Sequence, residues 1–248
     1  MALKCGMIRI EPAIVVALSP HGEHAVVGRF LSADQGLVAA YVHGGRGRGL
    51  RAVLQPGNMV ALDLVQRRVG GLGTATVYPL STNMALLHGA AGLAIVDYVA
   101  ALAAATLPET VPQPRLFAQF AAIFAAAGAG TDRLTIGAAL VRLELALLAE
   151  LGLGLDLGSC AATGRTDDLA FVSPKSRQAV CQGAGEPYAA RLLPLPAFLR
   201  DGGAADADAL VAGLKLSGHF LLRELIAGSP AEPRLSAARH RVVGLITG

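Results

Sequence analysis

Ala13-Ile14-Val15-Val16-Ala17-Leu18 runs into Ser19-Pro20-His21-Gly22, and Ala25-Val26-Val27-Gly28-Arg29-Phe30-Leu31 runs into Ala33-Asp34-Gln35-Gly36. Each is a short apolar run closed by turn-forming residues, which is how a strand and its turn read. The pattern continues outward along the chain. Leu37-Val38-Ala39-Ala40-Tyr41-Val42 stops at Gly44-Gly45. Asn58-Met59-Val60-Ala61-Leu62-Asp63-Leu64-Val65 is introduced by Pro56-Gly57, and Gly73-Thr74-Ala75-Thr76-Val77-Tyr78 follows. Five short strands at this spacing predict a small barrel or sandwich over residues 12–80.

A five-stranded barrel of this size is that of an OB-fold, which commonly binds single strands; a small SH3-like barrel is the structural alternative. From residue 81 the spacing becomes helical. Ser81-Thr82-Asn83 offer caps for an Ala-rich run from Met84 to Leu107, broken by Pro108, Pro112 and Pro114. A second helix is predicted from Arg115 to Ala127. A third is capped by Asp132 and runs to Leu151, with Leu140, Leu143, Leu147 and Leu151 at three- and four-residue steps. Residues 156–200 are irregular around Cys160 and Cys181 and read as a small finger-like insertion. A further helix spans 206–228, with Leu210, Leu214, Leu221 and Leu225 on one face, and a basic tail holds Arg234, Arg239, His240 and Arg241. The expected class is α+β. It comprises an OB-fold-like barrel (1–80), a helical domain (81–155), a zinc-finger-like segment (156–204), and a closing helix with its tail (205–248) packing on the helical domain.

The chain has 248 residues, room for one large domain or two to three small ones. Hydrophobic residues make up 53% and charged residues 16%, which excludes a wholly disordered chain. Aromatics are 4% and Trp is absent, so the core is built of side chains that each bury little area. The net charge is only +3, but residues 1–80 hold eight Lys/Arg against four Asp/Glu, and residues 81–248 thirteen against fourteen. That asymmetry favours an anionic partner at the N-terminal third, nucleic acid or a membrane surface. Three cysteines make no disulfide framework and fit a reducing cytoplasm. Met1–Ile10 lacks the apolar core of a signal peptide. Met84–Leu107 is long and apolar, but Asp97 near its middle and the many Ala and Gly residues favour a buried helix over a membrane span.

Several constellations bear on chemistry. Gly44-Gly45-Arg46-Gly47-Arg48-Gly49-Leu50-Arg51 alternates arginine with glycine between two predicted strands. Arginine supplies forked phosphate donors and glycine lets the backbone come close to a polyanion. Arg46, Arg48 and Arg51, with Arg67 and Arg68 on the following strand, are the candidate DNA contacts; GxxxxGK[ST] is absent, so this is no P-loop. Phe30, Tyr41 and Tyr78 are the barrel rings that base stacking would use. A structural zinc knuckle needs C-x-x-C twice, and here Thr163 and Ala184 stand where the second thiols would be, so no metal is expected. His21-Gly22-Glu23-His24 has the wrong spacing for a zinc protease and reads as a solvated turn, as does Asp167-Asp168. His43, His88, His219 and His240 are isolated. No nucleophile or general-base constellation emerges, and a non-enzymatic protein is expected. Arg142 lies beside the apolar stripe of the third helix, which suits a peptide ending in an acidic, aromatic C-terminus.

These features occur in an order that resembles the RecO family of DNA repair proteins, the recombination mediators. The resemblance rests on Ile14-Val15-Val16 with Pro20-His21-Gly22-Glu23, on His43-Gly44-Gly45-Arg46-Gly47-Arg48 and on Leu54-Gln55-Pro56-Gly57. It continues in Arg142-Leu143-Glu144-Leu145-Ala146-Leu147-Leu148 with Leu151-Gly152, then Cys160-Ala161 and Phe171-Val172-Ser173-Pro174. It implies an OB-fold that binds single- and double-stranded DNA and anneals complementary strands. It also implies cooperation with RecR in loading RecA recombinase onto strands coated by single-strand-binding protein. The C-terminal tail of that coating protein docks on the helical region, a role that passes by resemblance to Arg142, and the RecR contact passes to the barrel. Thr163 and Ala184 place the chain with the zinc-free form, and the family-like start is Met7. The other readings are an adaptor that binds the coating-protein tail with little direct DNA contact, a hydrolase assembled from distant residues, and a peripheral membrane protein using Met84–Leu107.

Overall fold

Strand β1 (Gly6–His21) is long enough to serve two neighbours, and this closes the barrel. Its first half pairs with β4 (Met59–Gln66), from Gly6 opposite Gln66 to Ile14 opposite Met59. Its second half pairs with β2 (Ala25–Ser32), from Ala13 opposite Ser32 to His21 opposite Ala25. The computed structural model describes residues 6–66, 71–83 and 89–248. The ladder to β4 shifts register between Ile10 and Ala13, where Pro12 has no N–H to donate. The apolar run begins only at Ala13 because the earlier part of β1 carries polar outward residues. Arg9 sits opposite Asp63 of β4 and donates to its carboxylate at 2.9 Å. Strand β3 (Gly36–Val42) runs antiparallel to β2, and β5 (Gly73–Ser81) antiparallel to β4. A short parallel contact, Ala40 with Gly73 and Tyr41 with Thr74, joins β3 to β5 and gives a closed order β1-β2-β3-β5-β4.

Alternate residues fill the barrel, as the pleat requires: Val38, Ala40 and Val42, then Val60, Leu62 and Leu64, then Ala75 and Val77. Phe30 is fully buried among them, and a Cβ at Gly28 would lie 2.5 Å from its ring. A large ring over a bare backbone is how a narrow barrel accommodates an aromatic side chain. Two compact units divide the chain, residues 1–130 and 131–248. The first contains the barrel with helices α2 (Gly89–Thr106) and α3 (Pro114–Gly128), preceded in the chain by the single turn α1 (Arg48–Arg51). Helix α2 buries Ile95, Tyr98, Val99 and Leu102, leaves Asp97 exposed, and packs against β1. By length and composition it meets the requirement for crossing a membrane, yet half of it is buried inside the protein. The expected first residues of this helix, Met84–His88, lie outside the described residues.

The second unit is built on α4 (Arg133–Glu150), α7 (Ala207–Phe220) and α8 (Glu232–Thr247). Asp132 caps α4 as its position predicts, accepting from the amides of Leu134 at 3.1 Å and Thr135 at 3.0 Å. Leu140, Leu143 and Leu147 are buried. Helix α7 passes into a π-helical turn over Leu221–Ile226, which shifts the phase of the apolar stripe, so Leu225 is only half-buried. The expected basic tail is a helix instead, and Arg239 on it is buried, because its charge is met inside the unit. Its guanidinium donates to both oxygens of Glu144, each at 2.8 Å, and to the Leu214 carbonyl at 2.7 Å. The irregular stretch forms a four-stranded sheet in the order β6-β8-β7-β9, from β6 (Asp156–Cys160), β7 (Leu169–Val172), β8 (Gln178–Cys181) and β9 (Leu193–Pro194). Between its last two strands lie the turn α5 (Gln182–Gly185) and a 3-10 turn over Glu186–Arg191, and α6 (Ala197–Arg200) follows the sheet.

Candidate nucleic-acid interface

The arginine-glycine stretch is a shaped segment at one end of the barrel. Gly44 takes a left-handed φ of 66° to turn the chain out of β3. At Gly45 a Cβ would come 2.5 Å from the Val26 side chain, so the backbone lies against the barrel. These two glycines serve the fold, whereas Gly49 faces open space. The stretch then winds into α1, with the Arg51 amide donating to the Gly47 carbonyl at 3.0 Å. Arg46 is oriented by the β1–β2 turn. Its amide donates to the His24 carbonyl at 3.2 Å and its guanidinium to the Gly22 carbonyl at 3.1 Å. Arg46, Arg48 and Arg51 are exposed, and among the described residues none forms an ion pair with a carboxylate. Arg46 and Arg51 flank a cleft of about 370 Å³ with Leu18, Gly45, Leu54 and Gln55. Arg67 and Arg68 lie outside the described residues.

A buried amide holds this segment from behind. Asn58, 2% exposed, donates to the carbonyls of Ala52 and Val53, both at 2.9 Å, and accepts from the Asn83 amide at 2.7 Å. The Asn83 side chain donates in turn to the Phe124 carbonyl of α3 at 2.7 Å. Asn58 therefore links the arginine segment to the strand end and to α3. Sequence reasoning passed over it; its only signal was an Asn directly after Pro56-Gly57 at the start of a strand. Gly57 itself needs its φ of 85°, and a Cβ there would meet Phe124, Asn83 and Val96 at 3.1–3.2 Å.

The three barrel rings have different fates. Phe30 is inside the barrel and offers no surface. Tyr78 is exposed, but the Arg9 guanidinium lies 4.9 Å over its ring. Asp63 serves both neighbours: its carboxyl is held below its ordinary range by the hydrogen bond from Arg9 and, to a lesser extent, by that from Tyr78, and the Tyr78 hydroxyl is correspondingly raised. Tyr41 lies between His21, with ring centroids 5.4 Å apart, and His43, at 4.6 Å.

In the second unit Arg142 is half-buried on α4. Its guanidinium donates to the carbonyls of Phe198 at 3.1 Å and Gly203 at 2.7 Å, and it lies 5.3 Å over the Phe198 ring. No carboxylate among the described residues neutralises it, so the charge is positioned but uncompensated. The adjacent Glu144 faces the other way, fully buried against Arg239.

The small sheet brings together Cys160, Thr163 and Cys181, three of the four positions that the sequence compares with a zinc knuckle. The Cys181 amide donates to Cys160 Sγ at 3.2 Å, and the Thr163 hydroxyl lies 3.6 Å from Cys181 Sγ. The Cys160 thiol is drawn down to about 6, chiefly by its hydrogen bond with Thr163 and then by the Cys181 amide. Structural zinc takes four nitrogen or sulfur ligands; two thiols and a hydroxyl do not fit it. The remaining candidates are surface features, except His219, which is half-buried with its Nε2 buried. His21-Gly22-Glu23-His24 is an exposed turn, and Asp167 is held in a two-pronged pair by Arg165 at 2.7–3.0 Å, with Asp168 exposed beside it. His219 stacks edge-on against Phe220, and His240 is exposed on α8.

A closed barrel that presents exposed arginines, joined in one chain to a helical unit bearing a small β-sheet, is the two-part arrangement of a protein that meets an anionic partner. Residues 7–83 match the family model described as recombination protein O N terminal, and residues 90–228 match recombination protein O C terminal. The chain belongs to the recombination protein O (RecO) family. It is 45% identical over 237 residues to the DNA repair protein RecO of Rhodospirillum centenum, covering 94% of this chain and 92% of that protein. To that of Rhodospirillum rubrum it is 43% identical over 239 residues, covering 94% of each. To that of Phenylobacterium zucineum it is 43% identical over 213 residues, covering 85% and 86%. Its role accordingly lies in DNA repair and recombination.

Proposed function

We propose that this chain is a non-enzymatic recombination mediator that binds single- and double-stranded DNA and anneals complementary strands. With RecR it would help load RecA onto strands coated by single-strand-binding protein. The observation that carries this reading is the trio Arg46, Arg48 and Arg51, exposed at one barrel end and without a carboxylate partner among the described residues. The strand order β1-β2-β3-β5-β4, closed by a parallel β3–β5 contact, is the reason for reading the barrel as an OB-fold. The arginines, joined by Arg67 and Arg68, neutralise phosphates and lower the repulsion between two strands brought together for pairing. Arg142, a fixed charge on an apolar helix, receives the acidic C-terminal tail of the coating protein. The segment around Cys160 and Cys181 is read as a zinc finger that has lost its metal, and the protein as a cytoplasmic one acting at the nucleoid.

Anisotropy of a labelled 30-nucleotide strand, titrated at several salt concentrations, tests the DNA contact. Each phosphate neutralised on a single strand contributes about −0.7 to the logarithmic salt slope. Arg46→Ala with Arg48→Ala is expected to weaken binding on all sequences and to flatten the slope by about 1.4. Unchanged affinity and slope would remove the arginine segment from the interface and make the adaptor reading the leading one.

A further inference from the structure

The rings of His21, Tyr41 and His43 form a cluster that the DNA-binding reading leaves unused. Tyr41 is crossed almost perpendicularly by both imidazoles, at 86° to His21 and 81° to His43, so none of the three is stacked face to face on another. Both histidines are exposed and Tyr41 is half-buried. The cluster sits on the outer side of β1 and β3, at the barrel end that carries the arginines. His21 precedes Gly22, whose carbonyl holds the Arg46 guanidinium at 3.1 Å, and His43 is three residues before Arg46. The groups that share this corner are Glu23 and His24, 3.9 Å apart on the same turn, and Arg46. Among the described residues no guanidinium covers Tyr41, in contrast to Tyr78 under Arg9.

We propose that His21, Tyr41 and His43 form a nucleobase-stacking platform beside the arginine segment, which gives the barrel its preference for unpaired strands. The inference rests on the reading of Arg46, Arg48 and Arg51 as backbone contacts. The arginines hold phosphates, which a duplex and a single strand both present. The rings offer faces and edges to a base, and only an unpaired base has a face free to meet them. Every base has such a face, so the platform is indifferent to sequence, as a protein acting on arbitrary broken DNA requires.

The experiment compares two labelled 30-nucleotide strands of the same length and charge, one carrying bases throughout and one with a central block of stable abasic spacers. One stacked base corresponds to roughly a 5- to 150-fold difference in affinity. The wild-type chain is expected to bind the strand with bases tighter by a factor in that range. His21→Ala with His43→Ala, and separately Tyr41→Leu, are expected to bind both strands like the wild type on the abasic one, with the salt slope unchanged. Equal wild-type affinity for the two strands would overturn the platform, as would variants that lose affinity equally on both. Because the wild-type comparison needs no substitution, the proposal stays exposed even if Tyr41→Leu fails to fold. The Arg46→Ala/Arg48→Ala variant separates the two readings. If it leaves affinity and salt slope intact, the backbone assignment fails; if it weakens binding to both strands while the wild type does not distinguish them, the backbone assignment holds and the ring platform alone fails.

Discussion

Glu144 is fully buried, and α7 and α8 bring it donors: Arg239 on both oxygens and the hydroxyl of Ser217. The fit is close enough that a Cβ on Gly218 would fall 2.3 Å from the Arg239 guanidinium. A buried pair of this kind is worth little against an apolar replacement but is costly to break from one side, because the survivor is left uncompensated. Arg239→Met alone is therefore expected to lower stability by about 3–5 kcal/mol, and Glu144→Leu with Arg239→Met to recover most of it. Urea unfolding of the single and double variants reads this directly; a double variant no more stable than the single one would show that the pair is not the unit of stability. The same residue scale separates two arginines that look alike in sequence. Arg239 is consumed by the fold, whereas Arg46 is tethered by a carbonyl and keeps its charge for a ligand.

Among the elements, the small sheet of the second unit is held around two buried cysteines. Strands β6 and β8 pair in parallel at Cys160 and Ala179, and β8 pairs with β7 from Leu169–Cys181 to Val172–Ala179. Cys160 and Cys181 end their strands side by side and are buried. Because the folded Cys160 thiol ionises at about 6, well below its ordinary value, the folded state carries fewer protons than the unfolded one between that pH and about 8.5. The contribution is complete above the unfolded value and lost as pH falls through about 6, so stability is expected to rise with pH across that window. Thermal melting of the wild type and of Cys160→Ser checks it: the serine variant should show a flatter profile over the same range, and an identical profile would discard the thiolate. The barrel is the contrasting element. Its five strands are legible from apolar alternation and turn residues, but β1 begins at Gly6 rather than Ala13, because Arg9 and Glu11 sit on an outward face that the cross-strand partner Asp63 accepts.

At the scale of the whole molecule, each of the two units carries its own arginine site. The arginine segment belongs to residues 1–130 and Arg142 to residues 131–248. If the proposed roles hold, the two surfaces are separable. Arg142→Ala is expected to weaken an acidic tail peptide of the coating protein by roughly ten- to a hundredfold, the worth of a hydrogen bond to a charged group. DNA affinity and its salt slope should stay as in the wild type. Calorimetry with the peptide and anisotropy with the strand read the two independently. A fall in DNA affinity with Arg142→Ala, at unchanged melting temperature, would mean that the surfaces are coupled. The family boundary, between residues 83 and 90, falls before α2, while the compact unit extends to residue 130 because α2 and α3 pack on the barrel.

Periodicity and punctuation by themselves determined the five strands and the capped helix α4, since alternation, caps and turn residues are local properties written within a few residues; the family was legible only as a resemblance of motifs. The arginine segment was also legible, as alternating Arg and Gly between two strands. What only the tertiary structure decided is which groups are spent on the fold and which remain for a partner. Phe30 and Tyr41 lie eleven residues apart and look equally available, yet one fills the barrel over Gly28 and the other stands outside between two histidines. Arg239 reads as part of a basic tail until Glu144, 95 residues away, is brought to it. Asn58 gains its importance only when Asn83 and the backbone of the arginine segment converge on it. Burial and pairing depend on residues distant in the chain, and a one-dimensional pattern holds no record of which of them meet.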